Sequence, residues 1–197
     1  MTSPAPKRLR LYGAHQHHNL LTAVPTLPCI VEGNVGDYCA AALREADIEI
    51  HGSAGTGVGH SLQSGVISVH GNVGPAVGAM AAGGLIIIHG NAGPRCGAGL
   101  QGADVVVRGS VDSHAGVCMR DGTLVILGDV GPQAGLGASA GTWFVMGELS
   151  GQANSLIEAR VKEPDKLRLG LLLLNSGIDA NAKDFRKFVI ETNVAQV

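Results

Sequence analysis

Three histidines and an arginine recur at one fixed spacing, and histidine is the commonest metal ligand in proteins. His51, His70, His89 and Arg108 follow one another at intervals of 19 residues. Such a column could bind a metal ion or an anionic surface. A straight row does not form a tetrahedral pocket, however, and we expect no carboxylate or thiolate to converge on it. We therefore predict no metal site, and interpret the column either as a strip that faces a partner or as an exposed strand face that repeats a tolerated residue.

A second group of residues could support nucleophilic chemistry. Asp112, His114 and Cys118 lie close together in the sequence, where a thiol and a base could pair. No third orienting group is evident, however, and Asp112 takes the place of a glycine in the repeat described below. The segment His15–His18 is more typical of a surface cluster than of a ligand set. We predict no catalytic residue in this chain, which also argues against a hydrolase that acts alone.

One glycine-rich segment has the composition of a phosphate-binding loop. No Lys-Ser or Lys-Thr pair follows Gly52–Gly57, and no helix is expected to begin there, so we predict no cofactor site. The sequence has four cysteines and no C-x-x-C pair, which indicates free thiols rather than a zinc or disulfide framework. These cysteines are Cys29, Cys39, Cys96 and Cys118.

The elements that position these side chains follow from a repeat of glycines. Further glycines lie three positions after five of the seven first glycines, seven positions after five of them and thirteen positions after four, with Asp112 and Ser150 interrupting the column at three. Self-similarity at a short fixed period is typical of stacked repeats, in which glycine serves the corners. The first glycines, each 19 residues after the last, are Gly33, Gly52, Gly71, Gly90, Gly109, Gly128 and Gly147.

Each repeat contains three segments that present apolar residues to one side. The stretch before each first glycine, such as Ile67–His70, is β-branched, alternates with a period of two and is too short for a helix. Two further apolar columns begin at Val35 and Leu43. The pattern predicts an all-β fold, a right-handed parallel β-helix with three sides, about seven coils and an inter-coil distance of about 4.8 Å. The column that begins at Asn34 is mostly Asn and Ser, and predicts a hydrogen-bonding ladder at one corner.

The regions outside the repeat are expected to cover its ends, because bare coils expose unpaired strand edges. We assign residues 1–32 to an N-terminal cap, 33–155 to the β-helix and 156–197 to a helical extension. Pro164 begins a helix-like run of leucines that Gly177 ends. A second short helix is predicted from Asn181 and Asp184 through Phe185, Phe188 and Val189. The apolar residues of this extension would cover the last coil, or alternatively dock on a partner.

Composition excludes several classes of function. The net charge is −2 and only 3% of the 197 residues are aromatic, so nucleic-acid binding is disfavoured. No apolar run is long enough to span a bilayer, and the first ten residues lack the apolar core of a signal peptide. The cytoplasm is therefore the expected location.

The glycine coils resemble a known family. Gly71–Gly78, which reads Gly-Asn-Val-Gly-Pro-Ala-Val-Gly, looks like a coil of the GXGXG domain. This domain forms the C-terminal β-helix of the glutamate synthase large subunit, and also occurs as a separate chain of formylmethanofuran dehydrogenase. Gly52–Val58, Gly90–Gly97 and Ala103–Val111 are similar to small stand-alone versions in glutamate-synthase-like or N-methylglutamate-synthase-like systems. The tail Gly177–Phe188 also resembles the ending of that group.

The resemblance implies a function in nitrogen metabolism through partners. A class II glutamine amidotransferase-like subunit, whose nucleophile is its N-terminal residue, and a synthase-like subunit with FMN and an iron–sulfur cluster would carry the chemistry. The chain itself would be a scaffold without catalytic residues or cofactors. The alternative that the resemblance leaves open is a structural subunit of a formylmethanofuran dehydrogenase or formyltransferase/hydrolase complex. A solenoid that assembles only with itself is a third hypothesis.

Overall fold

The computed structural model describes residues 8–13, 17–22 and 28–191. It confirms the predicted fold, a parallel β-solenoid of about seven turns with one short C-terminal helix. One strand per coil forms the continuous side. The parallel strands are β1 (Leu9–Tyr12), β2 (Cys29–Glu32), β3 (Ala46–Ile50), β4 (Gly65–Val69), β5 (Leu85–Ile88), β6 (Gln101–Val107), β7 (Asp121–Ile126) and β8 (Thr142–Val145).

The strands stack in the register that the sequence period predicts. Ile67 pairs with Ile48 on one side and with Ile86 on the other, so that equivalent residues of neighbouring coils stack. The same column continues through Leu124 to Trp143. The side chains of these residues are buried, and together they fill the interior of the coil. At roughly 1.5–3 kcal/mol for each fully buried large aliphatic side chain, such columns are the main source of stability.

The second side of each coil is a single bridged residue, and the third is a run of turns. Val35, Ala54 and Val73 begin the column of parallel bridges. In the turns, every second residue adopts a left-handed conformation, as at Ala76 and Met80, with φ of 60° and 59°. Successive left-handed residues donate their N–H groups alternately to the next coil and the previous coil. The turns are therefore paired to both neighbours, although they are not β-strands.

The glycine columns serve two different physical purposes. At Gly71, which begins a repeat, a Cβ atom would lie 2.7 Å from the carbonyl oxygen of Gly52 in the previous coil. A side chain at this corner would prevent the coils from stacking. At Gly78, seven positions later, the backbone has a φ of +65°, which glycine adopts without the steric cost of a Cβ atom. The first column thus permits close approach of backbones, whereas the other permits a left-handed turn.

The C-terminal region differs in part from the sequence prediction. The helix α1 (Glu163–Asn175) is present, but it packs on the outer face of the sheet rather than over the last coil. The predicted second helix is wrong. Asn181 caps a 3-10 turn of only three residues, Ala182–Asp184, and the chain then forms the strand β10 (Arg186–Ile190). The alternating Phe188 and Ile190 face the interior of the solenoid, which a strand permits and a short helix does not.

Two antiparallel strands continue the sheet beyond β8. The strand β10 pairs with β8, and β9 (Leu156–Ala159) pairs with β10. At the other end, β1 pairs in parallel with β2, so the ladder extends to Leu9, well before Gly33. The boundaries that we assigned at residues 32 and 155 remain a prediction.

The helix α1 is held against the sheet by a second apolar core. Strands β5 to β8 present apolar residues outward as well as inward, because α1 covers this face. Leu169, Leu172 and Leu173 of the helix pack there. The guanidinium of Arg168 lies 2.7 Å from the carboxylate of Asp104 at the edge of this core.

Among the described residues, no helix has the length and apolar character needed to cross a membrane.

Candidate functional site

The predicted strip of histidines forms one column on the outside of the solenoid. His51, His70 and His89 each lie directly after a strand, and their ring centroids are 4.9 Å apart in both successive pairs. Arg108 stands in the same column one coil further on, after β6. The repeat thus places these four side chains as the sequence indicates.

Two glutamates converge on the first histidine of the column. Glu49 Oε1 lies 2.9 Å from His51 Nε2 and 3.1 Å from His70 Nε2. Glu32 Oε2 lies 3.1 Å from His51 Nδ1. The expectation that no carboxylate converges on the column is therefore wrong. The physical reason is that Glu49 of β3 stands two residues before His51, which directly follows β3, and the alternation of extended chain directs side chains at this spacing to the same face.

The signal for both glutamates is present in the sequence. Glu32 lies 19 residues before His51, and is therefore the first member of the same column. The column reads Glu, His, His, His, Arg, and its acidic first member, Glu32, contacts the imidazole of the second member, His51. A search of the column toward the N-terminus, together with the period of two, identifies both carboxylates.

The carboxylates change the protonation equilibria of the site. The hydrogen bond to Glu49 raises the pKa of His51; partial burial opposes this effect and Glu32 adds to it. In return, the hydrogen bond from His51 is the main reason that the pKa of Glu49 is lowered. Burial, together with the charges of His70 and Arg108, lowers the pKa of His89. The column therefore favours a cationic imidazole at one end and a neutral imidazole two coils away.

Two arginines from the first described segment complete the network. Arg10 Nη1 lies 2.6 Å from Glu32 Oε1, and Arg8 Nη1 lies 3.3 Å from Glu49 Oε2. In each glutamate, one carboxylate oxygen therefore contacts an arginine and the other contacts His51. An open groove of about 370 Å³ lies beside the network, between Glu49, His70 and His89 on one side and the end of α1 at Ser176 on the other.

The residues considered for nucleophilic chemistry do not form a comparable arrangement. Asp112 Oδ1 accepts the N–H of Ser113 at 2.6 Å. Cys118 is exposed, and no hydrogen bond joins it to His114 within the described ranges. In the segment His15–His18, His15 lies outside the described residues, and His18 Nδ1 accepts the backbone N–H of Asp37 at 3.0 Å.

The remaining cysteines are buried free thiols, namely Cys29, Cys39 and Cys96. Burial raises the pKa of Cys39, and likewise that of Cys96, to about 12. A thiol with so high a pKa forms little of the reactive thiolate, so we expect both to react slowly in the folded chain.

The polar corner column forms the predicted ladder, with a difference in its partners. Each side chain accepts the backbone N–H of the next member, instead of bonding to the next side chain. Asn72 Oδ1, for example, accepts the N–H of Asn91 at 2.8 Å. Asn and Ser alternate freely because either oxygen reaches the same N–H. The ladder runs through Asn34, Ser53, Asn72, Asn91, Ser110, Asp129 and Glu148.

Comparisons with known proteins agree with this geometry. The family model described as the GXGXG motif matches residues 14–167. Among solved structures, the chain is similar to a chain in the crystal structure of the formyltransferase/hydrolase complex (FhcABCD) from Methylorubrum extorquens in complex with methylofuran. That match has 28% identity and a TM-score of 0.62, and covers 79% of this chain and 68% of the other. No curated protein sequence matches this chain.

Proposed function

This chain belongs to the GXGXG family, and from that premise we propose that it is a non-catalytic structural subunit of a formyltransferase/hydrolase-type complex. The observation that carries the proposal is the similarity in fold and sequence to a chain of such a complex over most of both chains. In the proposal the solenoid is a rigid body on which catalytic subunits assemble.

The interior of the solenoid supports a structural role. Its central columns consist of buried apolar side chains such as Ile67, Leu100 and Trp143. In the described coils, a core packed in this way leaves no central channel for a substrate. Among the described residues no charged side chain is fully buried, and the carboxylates around His51 on the outer surface are engaged in ion pairs.

The outer face of α1 offers a surface for a partner subunit. Leu167, Leu171 and Leu174 follow one another at helical spacing, and 67%, 51% and 74% of their surfaces are exposed. Gly170 lies between them, and a Cβ atom there would meet open space. Adjacent exposed leucines are typical of protein contacts rather than of a solvated helix face. We propose that this leucine face, together with the column of histidines, contacts a catalytic subunit.

Capture of the full chain with an affinity tag from its native cells tests the proposal. We expect mass spectrometry to identify an amidohydrolase-like subunit and a formyltransferase. Capture of a glutamine amidotransferase and a flavoprotein, with FMN and an iron–sulfur cluster in the captured material, would establish the glutamate-synthase-like alternative instead. A chain that forms only homo-oligomers, or that turns over formyl substrates or glutamine alone, would refute the scaffold role.

A matched pair of variants locates the contact. Replacing Leu167, Leu171 and Leu174 together by Gln should abolish capture of the partner without lowering the unfolding temperature, since all three are exposed. Leu136→Gln is the control, because Leu136 is 46% exposed on a turn of the solenoid rather than on α1. Equal capture by the triple variant and the control would show that the leucine face is not the contact.

A further inference from the structure

We propose that Glu49, His51 and His70 form a binding site for one divalent transition-metal ion of the zinc type. This inference is independent of the proposed scaffold function. Each residue offers one ligand atom, and the three atoms lie within 4.8 Å of one another. Two imidazoles and one carboxylate are a ligand set that zinc accepts, with a further position open.

The distances suit an ion of this size. Ligand atoms at about 2.0–2.2 Å from a tetrahedral ion are separated by about 3.3–3.6 Å. Glu49 Oε1 lies 2.9 Å from His51 Nε2 and 3.1 Å from His70 Nε2, slightly closer than this. Small side-chain rotations are sufficient to admit an ion. Because His70 comes from the coil after that of Glu49 and His51, the ion would link β3 and β4.

Glu32 orients the imidazole of His51. Its Oε2 lies 3.1 Å from His51 Nδ1, which directs Nε2 toward Glu49 and His70. A carboxylate behind a coordinating histidine fixes its tautomer and raises its basicity as a ligand. Arg10 in turn holds Glu32 through its other oxygen. This support distinguishes the site from a chance group of exposed side chains.

The surrounding charges decide which ions bind. Arg8 contacts Glu49 through Oε2, so Oε1 is the oxygen that faces both imidazoles, and an ion would bind there by displacing the imidazole protons that Oε1 now contacts. Asp47 lies 3.7 Å from the guanidinium of Arg8. The nearby arginine charge weakens the attraction of any cation, and the imidazole ligands disfavour Mg²⁺ and Ca²⁺, which prefer oxygen. We expect selective binding of zinc over magnesium. The groove at His70 leaves the remaining coordination position for water or a partner's donor atom.

Isothermal titration of the tag-free full chain with Zn²⁺ tests the proposal. We expect one ion per chain, no competition from Mg²⁺, and a rise in the unfolding temperature on addition of Zn²⁺. Glu49→Gln and His70→Ala should each weaken binding at least tenfold, and Glu32→Gln about 10- to 100-fold through the loss of orientation.

His89→Ala is the matched control, because His89 is the next imidazole of the same column but is not one of the three proposed ligands. In the described part of the chain, its ring makes a side-chain hydrogen bond only to Ser68, at 3.4 Å. Binding by this variant should stay within twofold of the wild type. Circular dichroism first shows whether each variant is folded. If His70→Ala fails to fold, the binding measured for Glu49→Gln decides the test. Absence of zinc binding in the wild type, or unchanged binding in Glu49→Gln, would overturn the proposal.

Discussion

The indole ring of Trp143 occupies the space that a side chain on Gly116 would need. Gly116 lies in a turn with a φ of +59°, and a Cβ atom there would overlap the six-membered ring of Trp143. Trp143 is fully buried and takes the place that smaller aliphatic residues occupy in earlier coils. A large side chain is therefore tolerated in the interior because the facing turn carries a glycine.

Gly116→Ala is accordingly expected to destabilise the protein strongly. The left-handed backbone costs alanine about 1–2 kcal/mol, and overpacking a core adds about 1–3 kcal/mol. We expect a loss of about 2–5 kcal/mol in the free energy of unfolding by urea. Gly177→Ala is the control, because Gly177 has a similar φ of +63° and no atom near its Cβ position. It should lose only the backbone component, so equal losses in the two variants would contradict the overlap.

The period of the sequence predicts the solenoid because the coil is a local repeat. Ile67 stacks on Ile48 by virtue of the spacing alone, and no long-range information is needed. The position of α1 is different. The apolar residues Ile87, Val106 and Phe144 occupy outward positions of the strands, which indicates a covered face, but only their packing against the helix shows what covers them.

The candidate site is only half predictable for a related reason. The histidine column follows from the period, whereas the convergence of Glu49 on His51 and His70 depends on side-chain directions within two coils. The alternation of the strand supplies those directions once the strand is assigned. The contact of Arg8 with Glu49 could not be predicted, since β1 lies before the first glycine of the repeat.

The hydrogen-bonding ladder at the corner predicts that Ala and Ser at position 72 differ in their effect on stability. Its Oδ1 accepts the N–H of Asn91, and Asn72→Ala leaves that N–H without its protein acceptor. We expect the free energy of unfolding to fall by about 0.5–1.5 kcal/mol. Asn72→Ser should recover most of this loss, because Ser53 accepts an equivalent N–H with its hydroxyl one coil earlier. Equal stability of the Ala and Ser variants in urea would refute a role for the side-chain oxygen.

The four cysteines should differ sharply in reactivity. Cys118 is exposed, whereas Cys29, Cys39 and Cys96 are buried with a raised pKa. A chromogenic disulfide reagent at mildly alkaline pH should therefore modify one thiol per native chain rapidly, and four after denaturation. Cys118→Ser should abolish the fast phase. A fast phase that survives this substitution would show that a buried thiol is accessible in the native state.

An ion pair at the start of α1 should help to fix the helix to the end of the sheet. Lys187 Nζ of β10 lies 2.7 Å from Asp165 Oδ1, and both side chains are largely buried, at 14% and 18% exposure. We expect Asp165→Asn to lower the free energy of opening of α1 by about 1–2 kcal/mol, measured by amide hydrogen exchange. Lys166→Ala is the control, because its pair with Glu163 is exposed and should contribute at most about 0.5 kcal/mol.

The same pair predicts how the stability of α1 depends on pH. Burial acts to raise the pKa of Asp165, but the hydrogen bonds from Lys187 and from the backbone N–H of Lys162 outweigh it and lower that pKa below the ordinary value of 3.8. A carboxylate with a lowered pKa stabilises the fold above its unfolded pKa, and this contribution is lost as the pH falls through the folded pKa. The difference in stability between the wild type and Asp165→Asn should therefore be constant near neutral pH and shrink below about pH 4. Urea unfolding of both proteins in parallel removes the effect of other carboxylates that titrate in the same range. A difference that persists unchanged at the lowest pH would show that the charge of Asp165 is not what holds the helix.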